Sequence, residues 1–561
     1  MKKYIFLFIA LLGVLVSCNQ SRLDIPQKGV ISEESFYITD EDAQSALVAA
    51  YDIAMRAVSC PNTWNIYSQY IATFNMPGDD CWGGGANFGD TDQFASQNEF
   101  RTDNQNLAVN AMYQHSYRAI HRANLVINKF EYGQSAIKDR CISEARFLRA
   151  FFHMILAIGW DNPPLVTEVL AADAQPFNTP HAEVLAFCEK EFSEIIPYLE
   201  RRKGQDDKTT VYRANVDAAY AFLAKTQMFE GKYAEAKANL KKVIDSGNFA
   251  LVPGEQWHDL FHPAGDGCSE KVFEFNLVTN PGNPMSVYDH SMSQHLKMFN
   301  WRNDHTRIPS SLYQTGWGAG NPSAKFAKAL IANDGMDSYR RKGTLRTYEE
   351  VLYEMPWASD GANPTMADKE KDLDRGVFSA AGLHGHEGYF AVKFNAKADE
   401  VVNGQYVPVN FNLMRYAEVL LMYAECCAQT NDASGLPYLQ MIQERAGSAH
   451  ISSSLTLQEV KNEKWFEMWF EGQRFIDLVR WGDAAKELAD SSKKPGRAKG
   501  ELPAFVDLLF TGESPVHKGE VRWTNYTESL NPGFQSGKHE HFAYPYSEIT
   551  TNPNIVQNPG W

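Results

Sequence analysis

The side chains best suited to chemistry are aromatic and lie in glycine-rich surroundings. Trp82 follows Asp79-Asp80-Cys81 and precedes Gly83-Gly84-Gly85, Trp301 opens the run Trp301-Arg302-Asn303-Asp304, and Trp317 stands between Gly316 and Gly318, with Tyr288 upstream. Glycine neighbours bring no side chains to cover a large ring, so these sequences predict rings that project from the backbone. A sugar has an apolar face of C–H groups and a rim of hydroxyls, and proteins grip it with aromatic platforms beside planar polar groups. Trp82, Asp80, Tyr288, Trp301, Arg302 and Trp317 are therefore the candidate ligand contacts. Packing within the loops is the competing role for any single one of these tryptophans.

Catalytic and metal patterns are weaker. Asp79 and Asp80 would have to serve as the acid and base of a glycosidase, and adjacent residues rarely reach the separation that chemistry needs. Glu471, Arg474, Asp477 and Arg480 recur every three residues, which predicts a ladder of ion pairs along a helix. His384-Gly385-His386-Glu387 and His539-Glu540-His541 lack the H-E-x-x-H spacing of a helical metal site. Gly83-Gly84-Gly85 has no following Lys-Ser/Thr to make a phosphate loop, and G-x-S-x-G is absent. Neither a catalytic residue nor a cofactor is expected.

The elements that position these residues are mainly helical. Thr39-Asp40-Glu41-Asp42 reads as a capping box, followed by Ala43, Ala46, Leu47, Ala50 and Ala54 at helical spacing. Helices are predicted over 109–130 and 137–158, the second becoming apolar on all sides after Arg149 and stopping at Gly159. Residues 214–247 form a helical hairpin of tetratricopeptide length, turning at Glu230-Gly231-Lys232-Tyr233 and capped by Gly247. Residues 412–446 repeat that plan, and a lone hairpin cannot bury its own face, so the helices at 109–158 and 455–482 are expected to complete the stack. Trp465, Trp469 and Trp481 fall at helical spacing and are expected in the core. Between the helical blocks, stretches near 59–106, 250–320, 355–410 and 484–543 are rich in Gly, Pro, Asn and Asp, and loops of that length usually carry function.

The chain of 561 residues is 44% hydrophobic and 22% charged, which excludes a disordered tail and a polytopic membrane protein. Its net charge of −16 repels polyanions, so nucleic acid is not an expected partner. Residues 1–17 read as an export signal: Lys2 and Lys3, then an apolar stretch too short to span a bilayer. The ending Leu15-Val16-Ser17-Cys18 resembles a bacterial lipobox, with Cys18 as the lipid-bearing first residue of a body spanning 18–561. An ordinary secretory signal is the plainer alternative. Several acyl chains anchor stably where one holds only marginally. With Cys18 lipidated, seven cysteines are left, an odd number without a C-x-x-C pair, and most are expected to be small buried apolar residues.

In order along the chain, several segments resemble the SusD/RagB family of outer-membrane lipoproteins. They are Leu23-Asp24-Ile25-Pro26, Ala145-Arg146-Phe147-Leu148-Arg149-Ala150, Arg415-Tyr416-Ala417-Glu418-Val419-Leu420, Phe470-Glu471-Gly472-Gln473-Arg474-Phe475 and the tail Tyr544-Pro545-Tyr546 with Asn558-Pro559-Gly560. The run Asn462-Glu463-Lys464-Trp465 departs from the family's Glu-Arg pair there. The resemblance implies a tetratricopeptide-like α superhelix with a loop-rich ligand-binding subdomain. It also implies a binding protein, not an enzyme: one that takes up a glycan at the cell surface and passes it to a SusC-like TonB-dependent outer-membrane transporter. Peptide or another nutrient is the alternative ligand, and a surface glycosidase the alternative activity.

Overall fold

The computed structural model describes residues 36–59, 69–85, 92–277, 298–299, 316–357, 364–369, 371, 389–401, 407–488, 504–505, 522–523 and 533–561. Cys18, Tyr288, Trp301, Arg302 and the histidines at 384 and 386 lie outside them.

Helices dominate. The principal ones are α1 Asp40–Ser59, α2 Leu107–Lys129, α3 Ala136–Trp160, α4 His181–Ile195, α5 Val216–Phe229, α6 Tyr233–Ile244, α7 Tyr416–Gln429, α8 Leu436–Ala446, α9 Leu457–Glu467 and α10 Arg474–Trp481. Each packs on the next from α2 to α8, with α1 lying on α2 and α3 and α9 on α7, so the hairpins form one continuous superhelical array. This is the mainly α, tetratricopeptide-like architecture expected. Among the described residues, no helix is long and apolar enough to cross a membrane.

Local chemistry sets the helix ends. Thr39 Oγ1 accepts from the Asp42 amide at 3.1 Å while Asp42 Oδ2 accepts from the Thr39 amide at 2.7 Å, a reciprocal box that satisfies two otherwise orphan donors. Asn106, Ser135, Asn215 and Thr456 cap α2, α3, α5 and α9 with side-chain oxygens. Gly447 closes α8 in the left-handed conformation, which a residue without Cβ adopts at no steric cost. The second half of α3 is buried throughout, from Phe147 to Trp160, against α2, α4 and α5. Phe147 meets Phe192, Phe222 and Phe273 there edge to face, with the Phe147–Phe273 centroids 5.0 Å apart. Each such ring contributes roughly 1.5–3 kcal/mol through burial.

Among the described residues, four short antiparallel ribbons stud the loops. They are built from β1 Cys81–Trp82, β2 Lys271–Phe275, β3 Asn321–Pro322, β4 Leu345–Thr347, β5 Tyr389–Ala391, β6 Phe411–Arg415, β7 Ala504–Phe505 and β8 Arg522–Trp523. Their pairings are β1 with β3, β2 with β6, β4 with β5, and β7 with β8.

Several expectations change. Residues 412–415 are strand, not helix, because their backbone pairs antiparallel with β2 in a ladder whose register shifts at a bulge, and the helix begins only at Tyr416. Helix α4 occupies a stretch for which no helix was expected, although Val184, Leu185, Cys188, Phe192 and Ile195 sit at helical spacing and are buried. The stretch 59–106 contains short helices at Gln69–Asn75 and Asp92–Asn98. Helix α3 runs through Gly159 to Trp160 and ends on Asp161, whose φ is +64° and whose amide donates to Ala157 O.

The expected ladder at 471–480 is replaced by cross-connections. Arg474 reaches Asp79, Arg480 reaches Glu425 at 2.6 and 2.9 Å, Asp477 reaches Lys464 at 2.7 Å, and only Arg480 with Asp477 pair along α10. Glu471 lies before α10 and meets Arg415 and Lys393 at 2.8 and 2.6 Å. Arg415, wholly buried, also binds Glu270 and Glu467, and Arg445 binds the same two carboxylates. This buried charge cluster joins the loop segments to the α7–α9 hairpins. The described cysteines are all free thiols, and Cys268 alone among them is not fully buried.

Candidate functional site

Asp80, Trp82 and Trp317 come together. Residues 79–85 and 316–323 approach through backbone groups: Gly320 N donates to Trp82 O at 3.1 Å, Gly85 N to Gly318 O at 3.1 Å, and Ser323 N to Asp80 O at 3.1 Å. The two-residue strands β1 and β3 pair Trp82 with Asn321. Glycine permits this approach: Gly84 has φ +71°, and a Cβ there would run into the carbonyl of Gly318 and come within 2.7 Å of Ala319 Cα. The glycine clusters at 83–85 and 316–320 thus serve one junction.

That junction is held from beneath by charge and by an indole. Asp79, fully buried, accepts from Arg474 Nε at 2.8 Å, Arg474 Nη2 at 3.0 Å and Lys325 Nζ at 2.6 Å. Burial opposes the charge on Asp79, but Arg474 and then Lys325 outweigh it and hold the carboxyl well below its usual range. Trp469 Nε1 donates to Asp80 O at 3.0 Å, and Ser323 Oγ to Asp79 O at 2.9 Å. A carboxylate engaged by two cations has no proton to give at neutral pH, so Asp79 is unsuited to the acid role of a glycosidase pair.

Exposure divides the tryptophans differently from the sequence expectation. Trp82 is only 2% exposed, which corrects the picture of a ring standing clear of the loop; glycine neighbours in sequence say nothing of what packs from elsewhere in the chain. Trp317 is half-buried, one side packed on the core. Trp257, another tryptophan of the irregular stretches, is wholly buried, with Nε1 3.4 Å from Glu467 Oε1. Trp469 is core as expected, and Trp465 and Trp481 pack against the core while partly exposed.

The clamp formed by Asp79, Lys325 and Arg474 was missed by sequence reading. Its one signal was the adjacency of Asp79 to Asp80 ahead of the glycine run. Of the histidines considered for metal, His539 Nδ1 accepts from Gln535 N and packs on Phe100 and Trp561, while His541 lies 3.7 Å from Asp161. Among the described residues, no grouping of three metal-ligating side chains occurs.

Stacked helical hairpins carrying a loop junction with tryptophan, carboxylate and guanidinium side chains define a helical-repeat protein with a loop-built candidate site. The SusD family model matches residues 287–561, and the chain belongs to the SusD family. A SusD-like protein of Formosa agariphila is 25% identical over 512 residues, covering 86% of this chain and 91% of its own. One from Bacteroides ovatus is 23% identical, covering 83% and 80%. Among solved structures, a laminarin-binding SusD-like protein superposes with a TM-score of 0.69 at 21% identity, covering 93% of this chain and 99% of that one. The surface glycan-binding protein A of Bacteroides thetaiotaomicron, solved with laminarihexaose, gives 0.67 at 19% identity, covering 93% and 100%. Both share this fold.

Proposed function

We propose that the protein is a cell-surface glycan-binding lipoprotein that captures an oligosaccharide or polysaccharide and delivers it to a TonB-dependent outer-membrane transporter. The observation that carries this reading is the meeting of Asp80, Trp82 and Trp317 at one loop junction in a chain of the SusD family. Half-buried Trp317 offers an aromatic face, and Trp82 fixes the loop beside it. Tyr288, Trp301 and Arg302 belong to the same proposed site. Cleavage before Cys18 and acylation there would anchor residues 18–561 to the outer membrane.

Binding without turnover is favoured over glycoside hydrolysis because Asp79, half of the carboxylate pair weighed for that chemistry, is committed to Arg474 and Lys325. The test is calorimetry against a glycan panel headed by laminarin and laminarihexaose, ligands named for two structural relatives. Saturable binding is expected, with no shorter sugar released and with Trp317→Ala weakened at least ~10-fold, or ~1.4 kcal/mol. Release of products overturns the binding-only reading, and an unaffected Trp317→Ala overturns the site. Binding of peptides instead of any glycan overturns the ligand class.

A further inference from the structure

A cavity lies apart from the tryptophan junction, lined by other stretches of the sequence. It measures about 350 Å³, within the range of small-molecule sites, and opens between α2, the connection that follows α3, and the C-terminal segment. That segment is latched in place: Asn552 Nδ2 donates to Pro176 O at 2.8 Å, Asn554 Nδ2 to Gln175 O at 2.7 Å, and Tyr546 N to Asn104 O at 2.9 Å. The lining combines apolar walls from Tyr117, Pro164 and Leu170 with carboxylates of Glu168, Asp173 and Glu548.

Two polar groups there are unspent. Tyr113 lines the cavity and is 1% exposed; no well-formed hydrogen bond satisfies its hydroxyl, which has only the Tyr117 hydroxyl close by. The neighbouring hydroxyl of Tyr117 donates to Pro164 O at 2.8 Å. Glu548 is half-buried, and burial alone pushes its carboxyl up; among the described residues its side chain makes no hydrogen bond or ion pair. Burial, and after it the charge on Glu548, raises the Tyr113 phenol, burial foremost raises that of Tyr117, and all three groups line the one cavity. The only basic side chain in the lining is His121. Outside, Phe177 and Val556 are 68% and 73% exposed, on segments that Val556 N joins by donating to Asn178 Oδ1 at 2.7 Å.

We propose that this cavity binds an organic cation, an ammonium or guanidinium group, held by Glu548 and Tyr113 against the tyrosine rings. A half-buried carboxylate without a protein partner, a buried phenol short of a well-formed hydrogen bond and aromatic walls are what such a group satisfies, through a charge-assisted hydrogen bond and cation–π contact. The cation can come from a Lys or Arg side chain of a partner polypeptide, for which Phe177 and Val556 supply an apolar rim, or from a free amine.

The test is calorimetry on the full chain in detergent, with agmatine and cadaverine as free cations, an acetylated and amidated Leu-Arg-Leu peptide as the polypeptide arm, and 1-pentanol as the neutral control. Saturable binding of a cation in either arm, weakened about tenfold or more by Glu548→Gln, is expected; that is the size of one charge-assisted hydrogen bond. Tighter binding of the peptide that is lost in Phe177→Ser assigns the polypeptide source, and tighter binding of the free amines assigns the small-molecule source. Tyr113→Phe, with an unchanged melting temperature, is expected to weaken either. No binding in both arms, equal binding of 1-pentanol, or full affinity in a folded Glu548→Gln variant overturns the proposal. Glycan binding is measured separately and does not bear on the outcome.

Discussion

Arg474 grips both carboxylate oxygens of Asp79, one through Nε at 2.8 Å and the other through Nη2 at 3.0 Å, and so fastens the first turn of α10 to the loop that carries Asp80 and Trp82. Arg474→Ala leaves Asp79 buried with Lys325 as its remaining partner. Removing one member of a buried pair costs about 3–5 kcal/mol. Denaturant titration should show a loss of that order, with weakened glycan binding even at temperatures where the variant is folded. A loss under ~1 kcal/mol would mean that the clamp is structurally idle.

Gly84→Ala tests the backbone junction. The added methyl meets the Gly318 carbonyl, and φ of +71° disfavours any L side chain. The expected result is ~1–3 kcal/mol of destabilisation and impaired ligand binding. Gly482→Ala serves as the comparison, since it too has positive φ, but nothing lies within 4 Å of its Cβ position. If both variants lose ligand affinity equally, close approach at Gly84 is not what matters.

Phe151→Ala probes the all-round burial of α3. Phe151 is 1% exposed and packs edge to face on Phe152 and Phe222. A cavity of that size typically costs ~3–5 kcal/mol. Thermal unfolding should register it as a large drop in melting temperature, and a change within experimental error would contradict the packing.

Stability should fall on acidification in two stages. Burial holds His153 at about 4, and burial with His262 nearby holds His258 at about 3, both below the ordinary value near 6.5. Between roughly pH 6.5 and 4 the unfolded chain takes up protons that the folded chain refuses, so folded-state stability declines across that window. Below about pH 4.5 a second loss begins. Burial opposes the charge on Glu467, but Arg445, Arg415 and Arg340 hold it well below the carboxylate range, and that advantage disappears on protonation. A melting temperature that stays flat from pH 7 to 4 would refute this.

Asp266 has the opposite sign. Burial, with Glu274 beside it, raises its carboxyl to about 7, so the folded state binds the proton more tightly than the unfolded chain and loses stability as pH rises through 7. Asp266→Asn should therefore raise the melting temperature, and by more at pH 8 than at pH 5. An equal change at both values would rule out ionisation as the cause.

Much of the scaffold was legible because its signals are local. The Thr39–Asp42 box, the hairpin at 214–247 and the left-handed Gly447 are written in residues a few positions apart. What stayed hidden depends on distant partners. Residues 411–415 become strand because β2 is there to pair with them. Arg415, Arg445, Glu270 and Glu467 look like surface charges until they meet in the interior. That residues 79–85 meet residues 316–323 was not foreseen from the tryptophans in them, and burial of Trp82 could not be read from its glycine neighbours.

The closure of residues 79–85 on residues 316–323 has a consequence for the life of the molecule. The two halves of the proposed binding floor emerge at very different times during synthesis, and α10, which clamps them through Arg474, emerges later still. Forming so non-local a contact comes after the nearer ones that oppose its loop-closure entropy. A chain whose hairpins have stacked but whose distal third is missing or misfolded would present no assembled floor. Competence to hold ligand thereby doubles as a certificate that the whole polypeptide has reached its native state.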